Sequence, residues 1–273
     1  MNKIGFIGAG NMASSIIGGL LNAGYATDNI RASDPSPAQS DLSLDIEVLN
    51  DNEAIAEWAD IIILAVKPQV LKTVCKQIAG QVKQHDKLII SIAAGIRSTS
   101  ITDWLGADAA CIRVMPNTPA LLGLGMSGLY ANPHTSGEQV NTASDIMQTV
   151  GKVAQFDNEE MIDSVTAISG SGPAYFFLLI EAMIKAGIQQ GLNEDDAKSM
   201  VLQTAVGAAT MAVQSDVDTE ELRRRVTSPG GTTERAIQTL LDGDFMQLIS
   251  SAIDAASKRS VELSSELAGN NDE

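Results

Sequence analysis

Hydrophobic positions divide this chain into two regimes. Between residues 3 and 156, short apolar runs at Lys3–Ile7, Ile30–Ser33, Ile61–Val66, Leu88–Ile92, Cys111–Met115, Met126–Tyr130 and Lys152–Phe156 alternate with segments long enough to be helices. Such alternation predicts strand–helix crossover units and a mostly parallel sheet. The run Ile61-Ile62-Ile63-Leu64-Ala65-Val66 has no polar position, as expected of a central strand covered by helices on both faces, so the sheet should be doubly wound. Beyond Phe156 apolar residues recur at helical spacing through 161–168, 174–187, 194–213, 219–226, 233–241 and 245–267, which predicts an all-helical region. Gly172 before Pro173, and Gly230-Gly231 before Thr232, interrupt it where helices should begin, with Pro173 at a first-turn position. The expected boundaries are an α/β domain at 1–158 and an all-α domain at 159–273, of which 268–273 is a polar, disordered tail.

The first strand ends in Gly8-Ala9-Gly10-Asn11-Met12-Ala13, and a helical pattern runs from Met12 to Ala23 with Gly24 as its stop. Small residues at 8, 10 and 13 permit a tight turn, close approach of a pyrophosphate and helix–strand packing, while the helix start offers free N–H groups. Strand, glycines, helix and next strand fall within one unit of about 30 residues, the context in which this motif reports a Rossmann-type dinucleotide site. After the second strand comes Ser33-Asp34-Pro35. An acidic side chain there either binds the ribose hydroxyls of NAD, repelling the extra phosphate of NADP, or only starts the turn with Pro35; NADPH and NADH both stay open. Ala65-Val66-Lys67-Pro68 and Ile92-Ala93-Ala94-Gly95 should open onto the same crevice, outside the carboxyl ends of the strands. Lys67 either approaches the cofactor or a substrate carboxylate, or stands solvated.

Composition narrows the partners. With 273 residues and a formal net charge of −16, the chain lacks the clustered basic surface that displaces counterions from nucleic acid; a small molecule is the expected partner. Its two cysteines, Cys75 and Cys111, sit far apart among apolar neighbours and read as buried thiols suited to a reducing cytoplasm. No export signal is visible at the N-terminus. The most membrane-like run, Ala174 to Ile180, is followed by Glu181 and Lys185, short of the roughly 20 apolar residues of a span, and is expected to be a buried helix.

Two segments of the helical half place glycines and hydroxyls before a helix: Ser169-Gly170-Ser171-Gly172-Pro173-Ala174-Tyr175 and Ser228-Pro229-Gly230-Gly231-Thr232-Thr233. Such ends can hold a carboxylate on free N–H groups, or the hydroxyls can simply cap helices; the presence of two favours a site. The catalytic inventory is otherwise thin. His85 and His134 sit in surface stretches, no cluster has metal-ligand spacing, Lys185 lies inside a helix and Tyr175 is an isolated phenol. Oxidising an alcohol needs a strong base, whereas a protonated imine accepts hydride with little help, so the inventory favours C=N reduction.

These residues together resemble the bacterial pyrroline-5-carboxylate reductase family almost end to end. The motifs are G-A-G-N-M-A at 8–13, A-V-K-P at 65–68, A-A-G at 93–95, M-P-N-T-P at 115–119, S-G-S-G-P-A-Y at 169–175 and T-S-P-G-G-T-T at 227–233. The resemblance implies NAD(P)H-dependent reduction of 1-pyrroline-5-carboxylate to L-proline, the last step of proline biosynthesis. It implies that Gly8, Ala9, Gly10, Asn11, Met12, Ala13, Ser33, Asp34, Asn52, Ala65, Val66, Lys67 and Pro68 hold the cofactor, with Ala93 and Ala94 near the nicotinamide. Asn117, Thr118 and Glu159 would border the substrate; Ser228, Gly231, Thr232 and Thr233 would hold it, with the Thr233 hydroxyl at the imine nitrogen. It further implies a cytoplasmic homodimer built through intertwined C-terminal helices, often assembled into decamers, with both loops meeting the cofactor across a subunit boundary. Asp34 departs from members that favour NADP and weakens the expectation of NADPH. Arg223-Arg224-Arg225 replaces a more usual Lys-Asp and lies either near cofactor phosphates or on a solvated helix face. A hydroxyacid dehydrogenase or another imine reductase of the same two-domain plan is the alternative.

Overall fold

A computed structural model describes residues 2–36, 46–84 and 87–269. The chain forms two compact units, 1–171 with 255–273, and 172–254.

In the first unit the order is β1 (Ile4–Ile7), α1 (Asn11–Asn22), β2 (Ile30–Ser33), β3 (Glu47–Leu49), α2 (Asn52–Trp58), β4 (Ile61–Leu64), α3 (Pro68–Gln84), β5 (Leu88–Ser91), α4 (Ser98–Leu105), β6 (Ala110–Met115), β7 (Gly125–Ala131), α5 (Gly137–Gln148), β8 (Gly151–Phe156) and α6 (Met161–Val165). The eight strands lie in the order β3-β2-β1-β4-β5-β6-β7-β8. Every neighbouring pair is parallel except β6 with β7. The seven expected strands all form; β3 is additional, three residues paired through Arg31↔Glu47 to Ser33↔Leu49.

Strand β4 shows why this sheet is doubly wound. Successive side chains point to opposite faces, and both sets are apolar. Ile61 and Ile63 join Phe6, Ile16, Ile17, Leu20 and Ile146 in a core with α1 and α5. Ile62 and Leu64 join Ile55, Leu71, Cys75, Ile78 and Ile101 in a core with α2, α3 and α4. The order of connection reverses between β1 and β4, which opens a crevice at their carboxyl ends.

Residues 159–171 pack with the sheet, so this unit extends past the expected boundary at 158. The reason is local: Val165 seals the space over Gly128, where a Cβ would come within 2.6 Å of it, and Asp163 is buried against strand β6. After α6 the backbone continues as a π turn, Thr166–Gly170. The segment expected to be an open glycine loop is therefore mostly wound: Ser171 N donates to Thr166 O, and the Ser169 hydroxyl donates to Val165 O. Gly170 allows this because Met115 Cε occupies the place of its missing side chain.

The second unit comprises α7 (Gly172–Gln189), α8 (Glu194–Gln214), α9 (Thr219–Arg225), α10 (Thr232–Asp242) and α11 (Phe245–Gly269) up to residue 254. Asn193 and Asp218 cap α8 and α9 by accepting from Asp196 N and Glu221 N. Helix α7 is not the buried helix expected. Phe176, Phe177, Leu178 and Met183 are exposed, because its apolar residues run around the cylinder and one neighbour, α8, cannot cover them. Moreover, because winding starts at Met161, the stretch Met161–Gln189 is long and apolar enough to cross a bilayer by length and composition, which the shorter run 174–180 had not suggested. Residues 268 and 269, expected in the polar tail, are helical in α11, and residues 270–273 lie outside the described residues.

Candidate functional site

The β1–α1 turn has the geometry a pyrophosphate needs. Gly8 has φ +101°, and a Cβ there would lie 2.7 Å from Ala65 O; only glycine lets the turn pass this close to β4. Gly8 N donates to Ser33 O at 2.9 Å, tying the turn to β2. Gly10 is the N-cap of α1 with φ −80° and ψ −176°, no side chain caps the helix, and a Cβ would meet nothing within 4 Å. The cradle in front of the α1 N-terminus is thus open, and its backbone N–H groups carry the positive end of the helix dipole. Ala9 and Ala13 are buried in the first core and Met12 packs on it, so their side chains are turned to packing, whereas Asn11 is exposed.

At the end of β2 the Ser33 hydroxyl donates to Asn52 Oδ1 at 2.6 Å, and Asn52 Nδ2 donates to Gln77 at 2.9 Å. Asp34 is half-buried and its Oδ1 accepts from Ser36 N at 2.8 Å, which realises the turn-starting role. Ala65 N donates to Ile7 O, Lys67 is exposed at the head of α3, and Pro68 opens that helix. Ala93 is buried, Ala94 half-buried, and Gly95 turns with φ +72°.

Behind these turns lies an ionic cluster that the sequence reading missed. Arg113 on β6 is 1% exposed. It faces Glu159 Oε1 at 3.5 Å and Asp163 Oδ1 at 3.6 Å. Burial pushes its pKa down, an effect opposed by Asp163 and Glu159. Asp163 Oδ2 accepts from Arg97 at 2.8 Å, and Ser260 donates to its Oδ1 at 2.7 Å. Glu159 accepts from Ser98 N at 2.6 Å and Ser98 Oγ at 2.8 Å. Both oxygens of this substrate candidate are therefore engaged in holding the first turn of α4. Asn117 is similarly occupied, donating to Ser169 O and accepting from Met126 N, and Thr118 opens the short 3₁₀ turn that follows it. A cation inside the run Cys111-Ile112-Arg113-Val114-Met115 was the available signal.

In the second unit the 228–233 loop ends at Gly231, the N-cap of α10, which has no side-chain cap. Gly230 has φ +73°, and a Cβ on Gly231 would lie 2.5 Å from Ser228 Oγ. Gly230 N donates to Glu234 Oε2 at 2.8 Å and Gly231 N to Ser228 O at 3.0 Å. Thr232 and Thr233 are the first residues of α10, so their N–H groups face an open helix start. Of the nearby arginines, Arg224 and Arg225 bond Glu221 on their own helix, at 2.6 and 2.8 Å. Those bonds draw the Glu221 pKa down to about 2, and Arg223 pairs with Glu220 at 3.8 Å, as on a solvated helix face. Lys185 pairs with Glu181. His134 is exposed beside Asp108, and His85 lies outside the described residues.

Comparison with known proteins assigns the family. A family model for pyrroline-5-carboxylate reductase dimerisation matches residues 159–263, and one for NADP oxidoreductase, coenzyme F420-dependent, matches 3–95. A pyrroline-5-carboxylate reductase of Pseudomonas aeruginosa is 50% identical, over 97% of this chain and 98% of that protein. The chain belongs to the pyrroline-5-carboxylate reductase family. The solved structure of the reductase from Coxiella burnetii superposes with a TM-score of 0.91 at 40% identity, covering 96% of this chain and 98% of that one. That from Plasmodium falciparum, with NADP bound, gives 0.87 at 32% identity, with the same shares covered. The two matched models follow the chain in the same order as its parts in this reductase, the sheet first and the helices after it.

Proposed function

We propose that this chain reduces the C=N bond of 1-pyrroline-5-carboxylate to L-proline with NADPH, and with NADH to the extent that Asp34 permits. The observation that carries this reading is 50% identity, over 97% of the chain, to a protein named for the reaction. When bound, the dihydronicotinamide supplies the hydride that joins the imine carbon. The open N-terminus of α1 beyond Gly10 receives the pyrophosphate, Ser33, Asp34 and Asn52 border the adenosine end, and residues 65–68 flank the crevice. Ala93 and Ala94 are small enough to admit the nicotinamide ring beside the carboxyl end of β5.

Ser228, Gly231 and Thr232 receive the substrate carboxylate at the α10 N-terminus, where the helix dipole and the N–H groups of Thr232 and Thr233, rather than that of Gly231, offset its charge. The Thr233 hydroxyl orients the imine nitrogen. A protonated imine becomes the neutral amine on gaining hydride, so the site needs no strong base and works mainly by positioning and preorganised donors. Asn117 and Glu159 support the site indirectly through their bonds to Ser169 and Ser98.

The assembly belongs to the same reading: a homodimer through the C-terminal helices, with dimers grouping into decamers. The match of a dimerisation model to 159–263 supports a second copy, rather than a bilayer, as cover for the apolar face of α7. Two buried free thiols suit a cytoplasmic enzyme. The test is consumption of NADPH or NADH by the purified chain on addition of pyrroline-5-carboxylate; no turnover with either cofactor refutes the reading. Thr233→Ala should lower kcat about a hundredfold, as loss of one preorganised donor does, with NADPH affinity unchanged. Unaltered kinetics remove Thr233 from the chemistry.

A further inference from the structure

The turn after β5 is locked by side chains from far along the chain. Ala93, Ala94 and Gly95 have nothing long enough to hold their own conformation, yet transfer of hydride requires reacting atoms about 3–3.5 Å apart and aligned. The lock comes from outside. A Cβ on Gly95 would lie 3.4 Å from Leu263 Cβ and 3.7 Å from Leu267 Cδ1, so α11 lies directly behind the turn. One helical turn earlier Ser260, 3% exposed, donates to Asp163 Oδ1 at 2.7 Å. The other oxygen of Asp163 accepts from Arg97, which is the N-cap of α4 and two residues beyond Gly95. Arg113 stands behind Asp163 and Glu159, so two cations face two carboxylates and the cluster has no excess charge to expel.

We propose that Ser260 and Asp163 are positioning residues for hydride transfer: through Arg97, and with Leu263 and Leu267, they fix the Ala93–Gly95 turn against the nicotinamide. This rests on the reading that the turn faces that ring. Neither residue touches the cofactor or substrate. The pyrophosphate end is held elsewhere, at α1, so loosening the relay disturbs the transfer geometry more than capture of the dinucleotide.

The test uses the full-length enzyme with Ser260→Ala, Arg97→Gln, their combination, and Ala94→Val. Each is assayed for kcat, KM for pyrroline-5-carboxylate, NADPH affinity, thermal midpoint and the kinetic isotope effect with NADPH deuterated at the transferred position. Ser260→Ala and Arg97→Gln should each lower kcat about tenfold and raise the isotope effect, because misalignment makes hydride transfer rate-limiting, while NADPH affinity stays within about twofold. The double variant should be no worse than the poorer single one, since both act through one carboxylate. Unchanged kcat, losses that multiply in the double variant, or kcat falling in step with NADPH affinity and thermal midpoint would each overturn the relay. Arg97 is half-buried, so Arg97→Gln keeps the test alive should Ser260→Ala fold poorly. Ala94→Val separates the two layers of argument. If it leaves kcat and isotope effect untouched, the turn does not face the nicotinamide; if it abolishes turnover while Ser260→Ala is silent, only the relay fails.

Discussion

Replacing Gly10 by alanine tests the cofactor cradle with the fold held constant. Gly10 has backbone angles open to any residue, and the added methyl meets nothing within 4 Å. The fold should therefore be unharmed, or gain about 0.4–1 kcal/mol from a less flexible unfolded chain. The methyl instead occupies the space in front of the α1 N–H groups. A pyrophosphate denied one charge-assisted hydrogen bond loses about 1.5–3 kcal/mol, equivalent to a roughly 10- to 150-fold rise in Kd. Gly8→Ala is the contrasting control: at φ +101°, with Ala65 O at 2.7 Å from the new Cβ, it should cost about 1–3 kcal/mol of stability. Fluorescence titration with NADPH reads the first effect and urea unfolding the second. Wild-type NADPH affinity in Gly10→Ala, or equal destabilisation by the two substitutions, would refute the assignment of the α1 N-terminus to phosphate.

Asp34→Ser removes the carboxylate at the end of β2 and should raise the NADPH-to-NADH ratio of kcat/KM; an unmoved ratio would leave Asp34 only its bond to Ser36 N. Arg113→Met strips a buried cation from between Glu159 and Asp163 and should cost about 3–5 kcal/mol in urea unfolding, part of it recovered by adding Asp163→Asn; a cost below about 1 kcal/mol contradicts the cluster's role. Burial lifts the Cys75 thiol from 9.0 to about 12, and Cys111 is raised as well. The folded state keeps protons that the unfolded chain releases above pH 9, so stability should fall as pH rises from 9 towards 12, by about 1.4 kcal/mol per pH unit for each thiol. Cys75→Ala should halve that slope, and an identical slope would show that the thiols do not drive it.

The sheet was legible because four-residue apolar strands such as Ile61–Leu64 are buried on both faces, a pattern that composition alone announces. β3 escaped notice because three residues, Glu47-Val48-Leu49, carry too little pattern, and their pairing with β2 stabilises them instead. The turn after β1 was legible at Gly8, where local sterics demand glycine, whereas nothing in the fold itself demands one at Gly10. The 169–175 segment was misread because hydroxyls and glycines look the same in a loop and in a π turn; the packing of Met115 on Gly170 decides between them. The ionic cluster needed tertiary contacts, for Ser260 and Asp163 are 97 residues apart. Glu159 carried a signal of the right kind, an acid before a helix, yet its partners Ser98 and Arg113 are visible only once the strands are side by side.

The first unit is interrupted in sequence: its last layer, residues 255–273, follows the whole of the second unit. A ribosome therefore releases the nucleotide-binding sheet long before the segment bearing Ser260 and Leu263 has been made, and domains begin to fold as they emerge. Until that segment emerges, the Gly95 turn lacks the backing of Leu263 and Asp163 lacks its seryl donor. The nascent chain should therefore acquire dinucleotide binding before the segment bearing Ser260 and Leu263 is made, and a competent transfer geometry only once that segment has followed.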